Sequence, residues 1–289
     1  MRIAWTRELP SPPLGLCLAR EPGSALVFDA ERTLTRIDDL GQVALRRSSP
    51  ATVSAAAFSD EGKVVAALGR RGQAWLLNAE FDVIWQRSLA PRPVAVAIDH
   101  QGLVVAVADE GGGLQVFDAQ GQEVWRATTP RPLVRLAYVP QSGALVGSAD
   151  LGLVCAFDRR GQALWREGLM ANVGSLAVSG TGERIVLACF SEGLRCCSME
   201  KPRPEKLPQT RASRHVAISY SGDLILYAGA DNRVTLCDAS GTTLEELTLP
   251  VAPSAAALAA LGERAVVTCD RAVIGIEVER RLPPAGSAR

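Results

Sequence analysis

A single period of 40 residues runs through this chain and restricts its fold more than any other feature. Phe117-Asp118-Ala119-Gln120-Gly121-Gln122-Glu123-Val124-Trp125 aligns with Phe157-Asp158-Arg159-Arg160-Gly161-Gln162-Ala163-Leu164-Trp165 at that offset. Stepping by the same interval gives a bulky apolar column, Leu18, Phe58, Ile98, Tyr138, Val178, Ile218 and Leu258. One position earlier the column is small: Cys17, Ala57, Ala97, Ala137, Ala177, Ala217 and Ala257. Neighbouring residues of a strand point to opposite faces, so each unit presents one bulky and one small face. Sheets of that kind stack bulk against small.

Four short strands are predicted in each unit, and the third unit reads as 94–98, 103–108, 114–117 and 123–126. Gly62, Gly102, Gly143, Gly182, Gly222 and Gly262 mark the turn after the first strand. A D-x-x-G turn follows the third, as at Asp118 to Gly121, Asp158 to Gly161 and Asp238 to Gly241. Asp opening a type I turn, followed by Gly in the left-handed region, suits a three-residue hairpin with a bulge. Gly72, Gly112, Gly152 and Asn232 mark the turn between second and third strands, again where positive φ is tolerated. A four-stranded antiparallel meander recurring every 40 residues is the signature of a propeller blade. The expected fold is an all-β, seven-bladed β-propeller forming one domain over residues 1–280. Its blades lie near 14–47, 53–88, 93–128, 133–168, 173–208, 213–248 and 253–279, with a flexible tail at 281–289. The seventh unit holds only three strands, whereas an orphan strand, Ile3-Ala4-Trp5-Thr6-Arg7, precedes the first. Trp5 is in phase with Trp85, Trp125 and Trp165 on the fourth strands, so residues 2–9 are predicted to complete blade seven and close the ring. Closure pairs the edges that an open stack leaves free.

With its D-x-x-G-x-x-x-W pattern the chain resembles WD40-like and quinoprotein-like (PQQ-type) propellers over essentially residues 1–280. Asp38, Asn78, Asp118, Asp158 and Asp238 occupy the place of the aspartate of the WD dipeptide. The tryptophan series is similar to the tryptophan-docking repeat of quinoproteins. The resemblance implies the fold, whereas activity does not transfer with a fold; the absence of catalytic clusters and cofactor motifs favours a non-enzymatic member of the superfamily. The chain departs from both patterns. It has only His100 and His215 in place of a repeated Gly-His pair, and its turn is one residue shorter than the quinoprotein one.

Composition narrows the function classes. Lys+Arg and Asp+Glu both number 31, so no global field recruits nucleic acid or an anionic membrane. The N-terminus carries no apolar leader and no run approaches a bilayer span, so a cytoplasmic protein is expected. The cysteines (Cys17, Cys155, Cys189, Cys196, Cys197, Cys237, Cys269) lack C-x-x-C spacing and read as small hydrophobes in a reducing compartment. No metal and no cofactor is expected.

In a propeller the loops from fourth to first strand and from second to third strand share one face around the channel. Arg92, Arg131, Arg211 and Arg214 fall in the first loop set, with Arg135 and His215 just inside the next inner strands. The second set carries Arg70, Arg71, Asp109, Glu110, Asp150, Glu192, Asp231, Asp270 and Arg271. Arginine forks on such a rim suit carboxylate or phosphate recognition, while alternating loop charges equally form structural ion pairs. Arg135, Ser175 and His215 share one phase in three successive units, where the others have Gly15, Ala55, Ala95 and Ala255. They read as a partner or ligand contact, or as structural filling; without a placed carboxylate they do not make a triad. The tryptophans are assigned to packing between blades. Unit five lacks both D-x-x-G and Trp at Ser198-Met199-Glu200-Lys201-Pro202-Arg203-Pro204-Glu205-Lys206, which predicts an altered outer hairpin with two prolines in its edge strand. The leading functional expectation is a non-catalytic protein–protein interaction scaffold, a monomeric ring or a subunit of a complex. The alternative is a small-ligand or enzymatic propeller working at the channel mouth.

Overall fold

The computed structural model describes residues 1–278. The tail anticipated at 281–289 lies outside them. All regular structure among the described residues is β, arranged as seven four-stranded antiparallel meanders. The inner strands, Pro13–Ala19, Val53–Phe58, Pro93–Ile98, Arg135–Tyr138, Val173–Val178, His215–Ile218 and Ala255–Leu258, neighbour one another in a closed circle. The chain is a seven-bladed β-propeller. Strands in blade three run Pro93–Ile98, Val104–Asp109, Gly113–Asp118 and Glu123–Thr128, reaching past the apolar runs because ladder bonds use backbone groups only. No helix is long and apolar enough to cross a membrane among the described residues.

The ring closes as its sequence phase predicts. Arg2–Glu8 is the outer strand of blade seven, antiparallel to Ala272–Glu277, with Trp5 opposite Gly275. Seven buried apolar clusters hold the ring, each drawing on two adjacent blades. The bulk-against-small rule reappears at the outer hairpins. Trp5, Trp85 and Trp125 each lie on the turn glycine of the following blade, Gly41, Gly121 and Gly161. A Cβ at those glycines would sit 2.5, 2.9 and 2.6 Å from the indole, and all three have positive φ, so only glycine fits on both counts. Between blades one and two the sizes are exchanged. Leu45 holds the tryptophan position and Phe81, at φ 65°, the glycine position, within one cluster.

Blade five departs from expectation in one detail. Its outer strand is only Glu205–Lys206, pairing with Cys196 and Arg195, and both prolines precede it rather than belong to it. Proline has no N–H to give the ladder, so pairing starts only after Pro204. Leu207 then lies against Gly241 of blade six, where other blades use tryptophan.

The two faces of the ring are built differently. On the lower face the first-to-second-strand turns are joined by backbone hydrogen bonds from blade to blade: Glu21 to Asp60, Asp60 to His100, Gln141 to Gly180, Gly180 to Tyr220, Tyr220 to Ala260 and Ala260 to Arg20. In blade four the donor is Gln141 because Pro140 has no N–H, and the turn there is one residue longer. The Arg20 guanidinium reaches past blade seven to the Ile218 carbonyl, 3.0 Å away. This belt of backbone hydrogen bonds runs along the lower mouth. Above it the channel encloses about 310 Å³ between aliphatic walls that include Leu16, Val96, Leu136, Leu176 and Val216.

Candidate functional site

The upper face carries the loops singled out from the sequence, and the structure sorts their arginines into two kinds. Arg92 is tied to Glu110 (3.1 Å), and Arg211 to Glu246 (2.8 Å), Asp231 (3.6 Å) and Thr235 (2.7 Å). Arg131 and Arg214 have no ion-pair partner among the described residues. Arg214 instead lies over the Phe190 ring, 5.9 Å from its centroid. Arg131 rests above the turn at Gly152.

Arg135, Ser175 and His215 are brought to one sector, on the inner strands of blades four, five and six, but not into a catalytic relay. Arg135 donates through Nε to the Gly174 carbonyl (2.6 Å) and through one Nη to Val134 (2.8 Å). The Ser175 hydroxyl donates to the Val216 carbonyl (3.3 Å). Among the described residues no side chain hydrogen-bonds the His215 ring, so nothing positions it as a base toward Ser175. Burial, and then the charges of Arg214 and Arg135, push the His215 pKa down to about 4. Burial also lowers the Arg135 pKa, partly offset by Asp150. At neutral pH the sector therefore combines guanidinium charge with an uncharged imidazole.

The depressed pKa has a measurable consequence. Between about pH 6.5 and 4 the unfolded chain protonates His215 while the folded one does not, so stability is lost as the pH falls through that window. After discounting for partial exposure the loss is about 2 kcal/mol. Urea denaturation at pH 7 and pH 4 is expected to show a smaller difference for His215→Asn than for the wild type. Equal differences would mean that His215 is not held neutral.

Beside the arginines lies a feature that the sequence reading missed. Leu151, Met170 and Phe190 are 39, 87 and 45% exposed on loops of blades four and five. The loops are stitched together by Gly152 N–H to the Leu169 carbonyl (2.9 Å), Val173 N–H to Asp150 (2.9 Å) and Phe190 N–H to Asn172 (3.1 Å). Ser213 N–H to Cys189 (3.1 Å) joins blade six to them. A signal was present in the repeat. Met170 stands in phase with Pro10, Pro50, Pro130 and Pro250, and Phe190 in phase with Arg70, Glu110, Asp150 and Asp270.

The remaining reactive groups are structural. The seven cysteines are free thiols. Burial pushes Cys17, Cys155, Cys197 and Cys237 up to about 12, which removes thiolate chemistry. Among the described residues no group of three or more His, Cys, Asp or Glu is placed to hold a metal ion. The turn aspartates hold hairpins on the lower face, as Asp118 does by accepting from the N–H groups of Gln120 and Gln122. Comparison with models of known families finds no match, and comparison with curated proteins finds none either.

Proposed function

We propose that this chain is a non-catalytic scaffold that binds another protein through the upper loop face, over blades four to six. The observation that carries the reading is the union of unpaired arginines with an exposed apolar shelf on loops that hydrogen bonds tie together. Exposed apolar side chains beside arginine are what recognition surfaces concentrate, and exposing them in water is unfavourable unless a partner covers them. A catalytic reading lacks support in the chemistry: the Ser175 hydroxyl is turned to backbone, and His215 has neither a serine nor a carboxylate on its ring. We further propose membership of the WD40-like and quinoprotein-like class, supported by tryptophan seating on the next blade's D-x-x-G glycine. A cytoplasmic location accords with seven unpaired thiols.

The test compares partners recovered from cells by wild type, by Phe190→Asp with Arg214→Glu on the upper face, and by Leu40→Asp on the lower face. Leu40 is 66% exposed, so both sets leave the core intact. Partners lost from the upper-face variant by about tenfold or more, yet kept by the lower-face variant, are the expected result. Equal recovery by all three would sink the reading.

A further inference from the structure

The upper sector's charges do not balance. Its loops, residues 129–135, 149–153, 168–175, 189–193 and 211–215, hold Arg131, Arg135, Arg211 and Arg214 against Asp150 and Glu192. Glu192 is already held by Arg195 through bonds of 2.6 and 2.9 Å, and Arg211 is occupied by Glu246 and Asp231. What remains is Arg131, Arg135 and Arg214 against Asp150 alone. Elsewhere the protein pairs its exposed arginines repeatedly, as in Arg2 with Glu277, Arg47 with Asp82 and Arg126 with Glu123. Other exposed arginines, including Arg70 and Arg71, also lack an ion pair among the described residues; what sets this sector apart, within a chain of zero net charge, is that its unpaired arginines share their loops with exposed apolar side chains.

We infer that the segment of the partner seated on this sector is an acidic, extended peptide carrying an aliphatic or aromatic side chain, an inference that rests on the interaction reading above. Guanidinium forks with unused N–H donors are the counterpart of carboxylates. Arg214, whose guanidinium carbon lies over the Phe190 ring, has no hydrogen-bond or ion-pair partner for its guanidinium among the described residues, and Arg135 retains an Nη beyond its two carbonyl contacts. The apolar residue has its own place against Met170, Phe190 and Leu151, side chains that stand out from the surface instead of lining a cavity. A small anion would leave that shelf in water. A nucleic acid would find three cations and one exposed ring, Phe190, where a continuous basic groove with a series of stacking rings is needed. The contacts step from blade four to blade six along adjacent inner strands, which suits an extended chain. The charges of Arg214 and Arg135 act on the His215 ring, so a carboxylate that neutralises them favours its protonation. Binding is accordingly expected to tighten as pH falls from 7 toward 5, above the range in which peptide carboxylates protonate.

The experiment is selection of displayed random peptides on the intact wild-type protein, followed by fluorescence anisotropy of the recovered peptides. Binding is measured to wild type, Arg131→Glu with Arg214→Glu, Phe190→Ala and His215→Asn, each first checked for an unchanged melting temperature. A fluorescent single-stranded oligonucleotide serves as a second probe. Support consists of recovered peptides with Asp or Glu near a large apolar residue. Both the charge-reversed and Phe190→Ala variants should weaken them about tenfold or more, and His215→Asn should flatten the pH dependence. Neutral or basic peptides that still need Phe190 would overturn the acidic inference and leave the interaction surface standing. Peptides indifferent to all these variants would overturn both. Recovery of no peptide, or tighter binding of the oligonucleotide to the same arginines, also overturns the inference.

Discussion

Deleting residues 1–9 is expected to lower the melting temperature by about 10 °C or more, the largest effect anticipated for any change to this protein. The strand Arg2–Glu8 supplies the outer ladder of blade seven. With it go the Trp5 indole, its N–H bond to the Asp39 carbonyl (3.1 Å) and its seat on Gly41, together with Leu9, which is buried between blades seven and one. Losing one half-buried tryptophan and one buried leucine is worth about 5 kcal/mol in comparable cores. For a domain of this size each kcal/mol moves the midpoint by about 2 °C. The deletion also bares the edge of Ala272–Glu277, a template for pairing between copies. Calorimetry of the truncated protein is the check, with light scattering to detect association. A midpoint within about 2 °C of wild type would mean that the ring does not depend on this strand.

The second large effect is steric and isolates the same closure more finely. Gly275 lies opposite Trp5, and a Cβ there would fall 2.1 Å from the indole Cε2. Its backbone does not require positive φ, so any penalty for Gly275→Ala arises from the collision with Trp5. Overpacking of this kind costs about 2 to 3 kcal/mol. In a Trp5→Ala background the same substitution is expected to fall within about 0.5 kcal/mol of neutral, because the colliding ring is gone. A double-mutant cycle by urea denaturation measures the coupling. An equal cost in both backgrounds would show that Trp5 does not seat on Gly275.

Much of the architecture could be read before any coordinates. The period, the alternation of Leu18 and Cys17 columns, the turn glycines and the phase of Trp5 are local properties, each repeated until chance is excluded. Blade five shows where such reading stopped. The prolines were visible, yet their position relative to the strand depends on which Arg195 and Cys196 backbone groups had to be paired, a constraint imposed by the neighbouring strand. The lower belt was likewise invisible, since it joins turns 40 residues apart by backbone groups that carry no side-chain signature.

The candidate site divides along the same line. By itself the sequence determined that Arg92, Arg131, Arg211 and Arg214 share a face, and that Arg135, Ser175 and His215 share a sector, because strand phase and blade order are periodic. Only the tertiary structure decided which arginines are occupied and which are unpaired. Arg211 meets Asp231 and Glu246 across its own sheet, whereas among the described residues the Arg214 guanidinium has the Phe190 ring and no ion-pair partner. It also decided that the loops carrying Leu151, Met170 and Phe190 are tied to one another by backbone hydrogen bonds. The physical reason is that pairing and shelf formation are set by distances between loops of different blades. A repeat fixes where each loop begins; the packing of the ring fixes what it meets.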